Sequence, residues 1–180
     1  MARADVAAVA AVVISALSML GCSDSPEPPA QGGLSVEFRS TSVPGEVCPT
    51  ITATTFGVGN PPPAVDGSSI GVPIISGEDE TEVHCTVSKN GSFRATIAAS
   101  HVSLDLRGTI AGPGSILVST PAHSLTVSGD NICTFNAQEP YAYHPGSMYI
   151  GFYCPGARNP DYSGTVCNLS GSVVVRQCAE

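Results

Sequence analysis

The chain has 180 residues, 42% of them hydrophobic and 12% charged, with 15 acids against 7 bases for a formal net charge of -8. That length suits one domain of ordinary size and is too short for two well-buried ones. The acid excess excludes nucleic acid as an expected partner, because phosphate backbones need clustered Lys and Arg, and the apolar content excludes a wholly disordered chain.

From Val6 to Leu20 there is no charge, only Ala, Val, Ile, Leu, Met and two Ser. A membrane-spanning helix needs roughly 20 apolar residues. A shorter run at the N-terminus reads instead as the apolar region of a secretory signal. It ends in Met19-Leu20-Gly21-Cys22. A small residue followed by Cys at this point resembles the lipobox of bacterial lipoproteins. In that family the Cys is diacylated at sulfur and becomes the new N-terminus after cleavage. The resemblance implies lipidation at Cys22 and a membrane partner reached through the N-terminal lipid. The alternative is an ordinary signal peptide cut elsewhere, for instance near Ala30.

Cysteine arithmetic bears on the same point. The seven Cys are an odd number. If Cys22 takes lipid, Cys48, Cys85, Cys133, Cys154, Cys167 and Cys178 remain. Six is even and suits a disulfide framework in an exported chain. Ser23 to Gly33 contains three Pro, two acids and two Gly without apolar periodicity, which reads as a tether. The expected organisation is a signal over 1–21, a flexible tether over 22–33 and one β-domain over 34–180.

Past the tether, period-2 alternation recurs. Leu34, Val36 and Phe38 share a face of a first strand; Val83, Cys85 and Val87 share a face of a second. Phe93, Ala95, Ile97 and Ala99 mark a third, and Val102, Leu104 and Leu106 a fourth. Further strands are expected at Ser115–Ser119, Ser124–Ser128, Asn131–Phe135, Met148–Cys154 and Gly171–Cys178. Short strands at this spacing, split by Gly, Pro, Asn and Asp, predict an all-β antiparallel sandwich, with a jelly roll or partly open barrel as alternatives.

The hairpin around Asn90-Gly91 can be read in more detail. A two-residue loop would put the apolar faces of its strands on opposite sides. A three-residue loop, Lys89-Asn90-Gly91, pairs Val87 with Phe93, Cys85 with Ala95 and Val83 with Ile97. The buried face enforces register, so the longer loop is expected, with Gly91 in the left-handed bulge position. Cys85 and Cys154 alternate with apolar residues, which favours structural cystines. Six Cys allow fifteen pairings and sequence does not select one. The working assignment is Cys48–Cys85, Cys133–Cys178 and Cys154–Cys167.

Phe152-Tyr153-Cys154-Pro155, then Cys167-Asn168-Leu169-Ser170-Gly171-Ser172-Val173-Val174-Val175, then Cys178, resembles a pattern in small cysteine-containing lipoproteins of myxobacteria. Those proteins combine a lipobox, a Pro/Gly/Ser linker and a β-rich domain. The resemblance implies a lipid-anchored protein of the bacterial cell envelope, facing periplasm or surface, with the outer membrane favoured over the inner. It implies no chemistry.

Catalytic patterns are weak. There is no Gly-x-Ser-x-Gly elbow. His101, Ser103 and Asp105 share one strand face, but alternate residues on a strand lie about 6.8 Å apart, too far for a triad in hydrogen-bond contact. His84, His101, His123 and His144 form no His-x-x-x-His pair, and no Cys-x-x-Cys exists. Glu78-Asp79-Glu80-Thr81-Glu82 is an acidic cluster without the alternating ligands of a calcium loop. Glu46, Asp66, Asp105, Glu139 and Asp161 offer carboxylates for a glycosidase pair, as any acidic chain does. No catalytic site, metal site or cofactor is expected. The one aromatic concentration, Glu139 to Tyr149, holds three of the five Tyr. Tyr141, Tyr143, His144 and Tyr149 are therefore the expected binding loop for an envelope protein or ligand. The expected function is a structural or binding module rather than an enzyme. A secreted hydrolase and a calcium-stabilised adhesin-like domain are the alternatives.

Overall fold

The computed structural model describes residues 27–49, 54–56, 74–75, 81–121, 125–137 and 143–180. Among them nearly all regular structure is β. In chain order the strands are β1 (Gln31–Ser40), β2 (Thr54–Phe56), β3 (Ile74–Ile75), β4 (Glu82–Val87), β5 (Ser92–Ala99) and β6 (Val102–Thr109). β7 (Pro113–Thr120), β8 (Leu125–Ala137), β9 (Tyr143–His144), β10 (Ser147–Arg158) and β11 (Val166–Arg176) follow. They form one antiparallel sheet in the order β2-β1-β11-β10-β8-β7-β6-β5-β4, with β3 on β1 and β9 on β10. The expected all-β antiparallel architecture with disulfides is observed. One continuous curled sheet is the partly open barrel among the stated alternatives.

The curl brings the β4 edge to the C-terminal tail. Gln177 takes a left-handed φ of 55° directly after β11, which turns the chain out of the strand. Ala179 then bridges Thr86 in parallel. Val87 N–H donates to the Ala179 carbonyl at 2.9 Å, and Ala179 N–H donates to the Cys85 carbonyl at 3.1 Å. The β9–β10 turn adds a third tie, with Gly146 N–H donating to the Val87 carbonyl at 3.0 Å. An edge strand left open is a template for aggregation; here the Cys85–Val87 part of the edge is covered by the chain's own end and by the Gly146 turn.

The core lies on the concave side. Leu34, Val36, Val87, Ile97, Leu104, Leu106, Ile116, Val118, Phe135, Ile150, Leu169 and Val173 belong to one contiguous buried cluster. The chain has no Trp; within the core Phe93 and Phe135 meet edge to face with centroids 5.0 Å apart.

The β4–β5 hairpin has the register its apolar faces require. Val83 opposes Ile97, Cys85 opposes Ala95 and Val87 opposes Phe93. Gly91 sits at φ 80° and donates to the Ser88 carbonyl at 2.9 Å. Asn90 Oδ1 accepts from Ser92 N–H at 3.0 Å.

Three expectations are corrected. The first strand begins at Gln31, so Gln31, Gly32 and Gly33 belong to the sheet and not to a tether. Gly32 opposes Val175, and a Cβ there would lie 3.0 Å from Ile97 Cδ1. At Gly32 the curled sheet brings Ile97 of β5 and Val83 of β4 too close to leave easy room for a side chain. The segments Ser124–Ser128 and Asn131–Phe135 are one strand, β8. The Gly129-Asp130-Asn131 stretch, which looks like a turn, is a bulge between Gly129 opposite Ile116 and Cys133 opposite Gly114.

The third correction concerns the cystines. All six expected half-cystines are paired, but as Cys48–Cys167, Cys85–Cys178 and Cys133–Cys154. None of Cys48–Cys85, Cys133–Cys178 and Cys154–Cys167 forms. Cys133 and Cys154 sit on the neighbouring strands β8 and β10. Cys85 reaches Cys178 only because the sheet has curled. Cys48 follows an isolated bridge from Val47 to Thr165 that sets it beside β11. Cystines persist in oxidising compartments, and three of them mark an exported, non-cytoplasmic protein. No helix among the described residues is long and apolar enough to cross a membrane.

Candidate functional site

The expected binding loop divides. Tyr141 and Glu139 lie outside the described residues, as do Cys22, Asp66, His123 and Glu78–Glu80. Tyr143 packs against the core from its rim, and its hydroxyl lies 3.6 Å from where a Cβ on Gly91 would stand. His144 is exposed. Tyr149 is 6% exposed and opposes Val174, which is 1% exposed. Tyr149 is therefore a buried residue and not part of a recognition surface. A strand directly after the Pro145-Gly146 turn sets its alternate residues in and out, and both faces of β10 are covered at this point.

The other residues singled out by sequence are dispersed. Ser103 and Asp105 lie on the outward face of β6, with His101 in the turn before it. Asp105 Oδ2 accepts from Arg94 at 3.3 Å and from Thr96 Oγ1 at 3.5 Å, and it makes no hydrogen bond to a histidine among the described residues. His84 Nε2 and Glu82 Oε1 are 2.6 Å apart on the surface. Glu46 accepts from Thr41 Oγ1 at 2.7 Å and from Arg158 at 3.3 Å. Asp161 is exposed, in a loop where Asn159 Oδ1 accepts from the Asp161 and Tyr162 backbone N–H groups. Among the described residues no three of His, Cys, Asp and Glu converge as metal ligands.

One polar constellation does form, on the outward face of β4 to β8. Strand register lays Thr86, Arg94, Arg107 and Ser115 in one row across four strands. At about 4.8 Å per strand the row spans roughly 14 Å. The adjacent row is His84, Thr96, Asp105, Leu117 and Ser128. Two shallow clefts meet at Arg94: one of about 430 Å³ against His84, Thr86 and Thr96, the other of about 210 Å³ against Arg107, Leu117 and Asp130.

The second cleft owes its shape to the β8 bulge. Asn131 has a left-handed φ of 55°, a conformation that Asn tolerates better than most residues. Its N–H donates to Ser115 Oγ at 2.9 Å, and Ser115 Oγ lies 3.4 Å from Asn131 Oδ1. Bulges re-aim side chains, and this one delivers Asp130 to the rim of the cleft.

Sequence reasoning passed over these residues, although a signal was present. A two-residue turn at Ser100-His101 sets Ala99 opposite Val102. Counting back along both strands then brings Arg94 opposite Arg107. No match to the chain was found among protein-family models, curated proteins or solved structures.

Proposed function

We propose that the chain is an exported lipoprotein, anchored through a lipid on Cys22, whose curled β-domain serves as a binding or structural module of the bacterial cell envelope. The observation that carries this reading is the cysteine count. Three cystines use six of the seven cysteines, which leaves Cys22, the residue at the end of the apolar N-terminal run. A free thiol in an oxidising compartment invites mispairing, and acylation at sulfur removes it. More than one acyl chain holds a protein at a bilayer far more firmly than a single chain does.

The test is the intact mass of the protein purified from the membrane fraction. The expected mass begins at Cys22, carries a lipid adduct and is about 6 Da lighter before reduction, two hydrogens for each of three cystines. An unlipidated mass starting elsewhere removes the anchor.

A further inference from the structure

On a chain with 15 acids and 7 bases, two arginines stand directly opposite each other on neighbouring strands, Arg94 on β5 and Arg107 on β6. Like charges in directly opposed positions destabilise a sheet. Arg94 is compensated, because Asp105 accepts from its guanidinium at 3.3 Å. Arg107 is exposed and makes no ion pair among the described residues, where Arg39, Lys89, Arg94 and Arg158 each have a partner. Arg107 lines the 210 Å³ cleft together with Leu117 and Asp130.

The charges around the cleft narrow the ligand. Asp105 and Asp130 lie beside the arginines, so a bare anion meets two carboxylates as well as two guanidiniums. A ligand that brings hydrogen-bond donors along with its negative charge satisfies both. Leu117, 43% exposed, supplies an apolar floor between them. The volume is below the roughly 300–1,000 Å³ of drug-sized pockets, which suits one unit of a larger chain. The neighbouring cleft, with Thr86 and Thr96 and sharing Arg94, offers room for a second unit.

We infer that this cleft binds an acidic sugar residue, a hydroxyl-bearing ring with a carboxylate or phosphate group. Arg107 takes the oxyanion through its guanidinium fork. Asp130 accepts from ring hydroxyls, and Leu117 meets the ring's C–H face. The inference rests on the domain being a binding module and is independent of the lipid anchor.

The test is a titration of the purified mature protein, with the Leu117 methyl resonances as readout. The probes are glucuronate, glucose 6-phosphate, glucose and inorganic phosphate. At least one acidic sugar is expected to shift Leu117 saturably and about tenfold more tightly than glucose or phosphate, the equivalent of one added charged contact. Saturation by glucuronate alone identifies a carboxylate ligand, and saturation by glucose 6-phosphate alone a phosphate. Arg107→Ala and Arg107→Gln are expected to abolish the preference while melting no lower than the parent, since each relieves the opposed charges. Arg107→Lys keeps the charge but not the fork and is expected to bind in between.

Three results overturn the inference: no saturable shift with either acidic sugar, inorganic phosphate binding as tightly as the sugars, or binding unchanged in both uncharged variants. A failed titration leaves the intact-mass result standing, and a failed mass result leaves the titration standing.

Discussion

The Cα atoms of Cys85 and Cys178 lie 4.9 Å apart, although five strands separate β4 from β11 along the hydrogen-bonded order of the sheet. The cystine thus joins the β4 edge to the residues just past β11 and fastens the curl beside the Ala179 bridge. It closes a separation of 93 residues, against 21 for Cys133–Cys154. In the chain-entropy model these correspond to about 4.7 and about 3.3 kcal/mol. The double variant Cys85→Ser/Cys178→Ser is therefore expected to lose more stability than Cys133→Ser/Cys154→Ser by roughly 1 kcal/mol. Urea unfolding midpoints of the two variants decide it. The reverse order would show that burial of the Cys133–Cys154 pair outweighs loop length.

Gly171 is fixed by a backbone approach. It opposes Val36 on β1 and Phe152 on β10. A Cβ added there would overlap the Ser35 carbonyl oxygen and press on the Phe152 ring. The first obstacle is backbone and the Phe152 ring is held in the core at 4% exposure, so Gly171→Ala forces the strands apart and is expected to cost about 1–3 kcal/mol. Gly164 has nothing within 4 Å of its Cβ position, and Gly164→Ala is expected to change stability by less than about 0.5 kcal/mol. Thermal melts of the pair check the contrast, and equal midpoints would contradict it.

Features set by neighbouring residues were legible in the sequence, and features set by distant strands were not. The Lys89-Asn90-Gly91 loop was legible because its register follows from turn chemistry and two apolar faces a few residues apart. The bulge at Asp130-Asn131-Ile132 was not, because Gly, Asp and Asn in succession have the composition of a turn. Only the partner strands show that the ladder continues past them. Cystine pairing was hidden for a related reason. Cys85 and Cys178 meet through closure of the whole sheet, a property of no single segment. The cleft at Arg107 lies between these cases. Its opposed arginines follow from a two-residue turn, but Asp130 reaches it only through the bulge.

Glu37 and Arg39 form an exposed pair on β1, with two hydrogen bonds of 2.9 Å. Those bonds hold the Glu37 carboxyl below the ordinary carboxylate range. A carboxyl whose folded pKa is lowered stabilises the fold above its unfolded pKa, and that contribution is lost as pH falls through the folded value. Solvent screening keeps it small. The expected result is a slight stability gap between wild type and Glu37→Gln at neutral pH that closes on acidification and with added salt. Urea midpoints from neutral pH into the acid range measure it. A gap that widens on acidification would contradict the pairing.

Tyr149, Tyr153 and Tyr162 test the reassignment of the aromatic loop. Tyr149 is 6% exposed, whereas Tyr153 is 48% and Tyr162 68% exposed. If recognition were the role of Tyr149, its removal would leave the fold intact. Burial on the face shared with Val174 predicts the opposite. Truncating a buried aromatic removes its transfer energy and leaves a cavity, so Tyr149→Ala is expected to cost about 3–5 kcal/mol. Tyr153→Ala and Tyr162→Ala are expected to stay within about 0.5 kcal/mol of wild type. Urea midpoints for the three variants separate the roles. A Tyr149→Ala midpoint equal to that of Tyr162→Ala would return Tyr149 to the surface and reopen the loop as a recognition site.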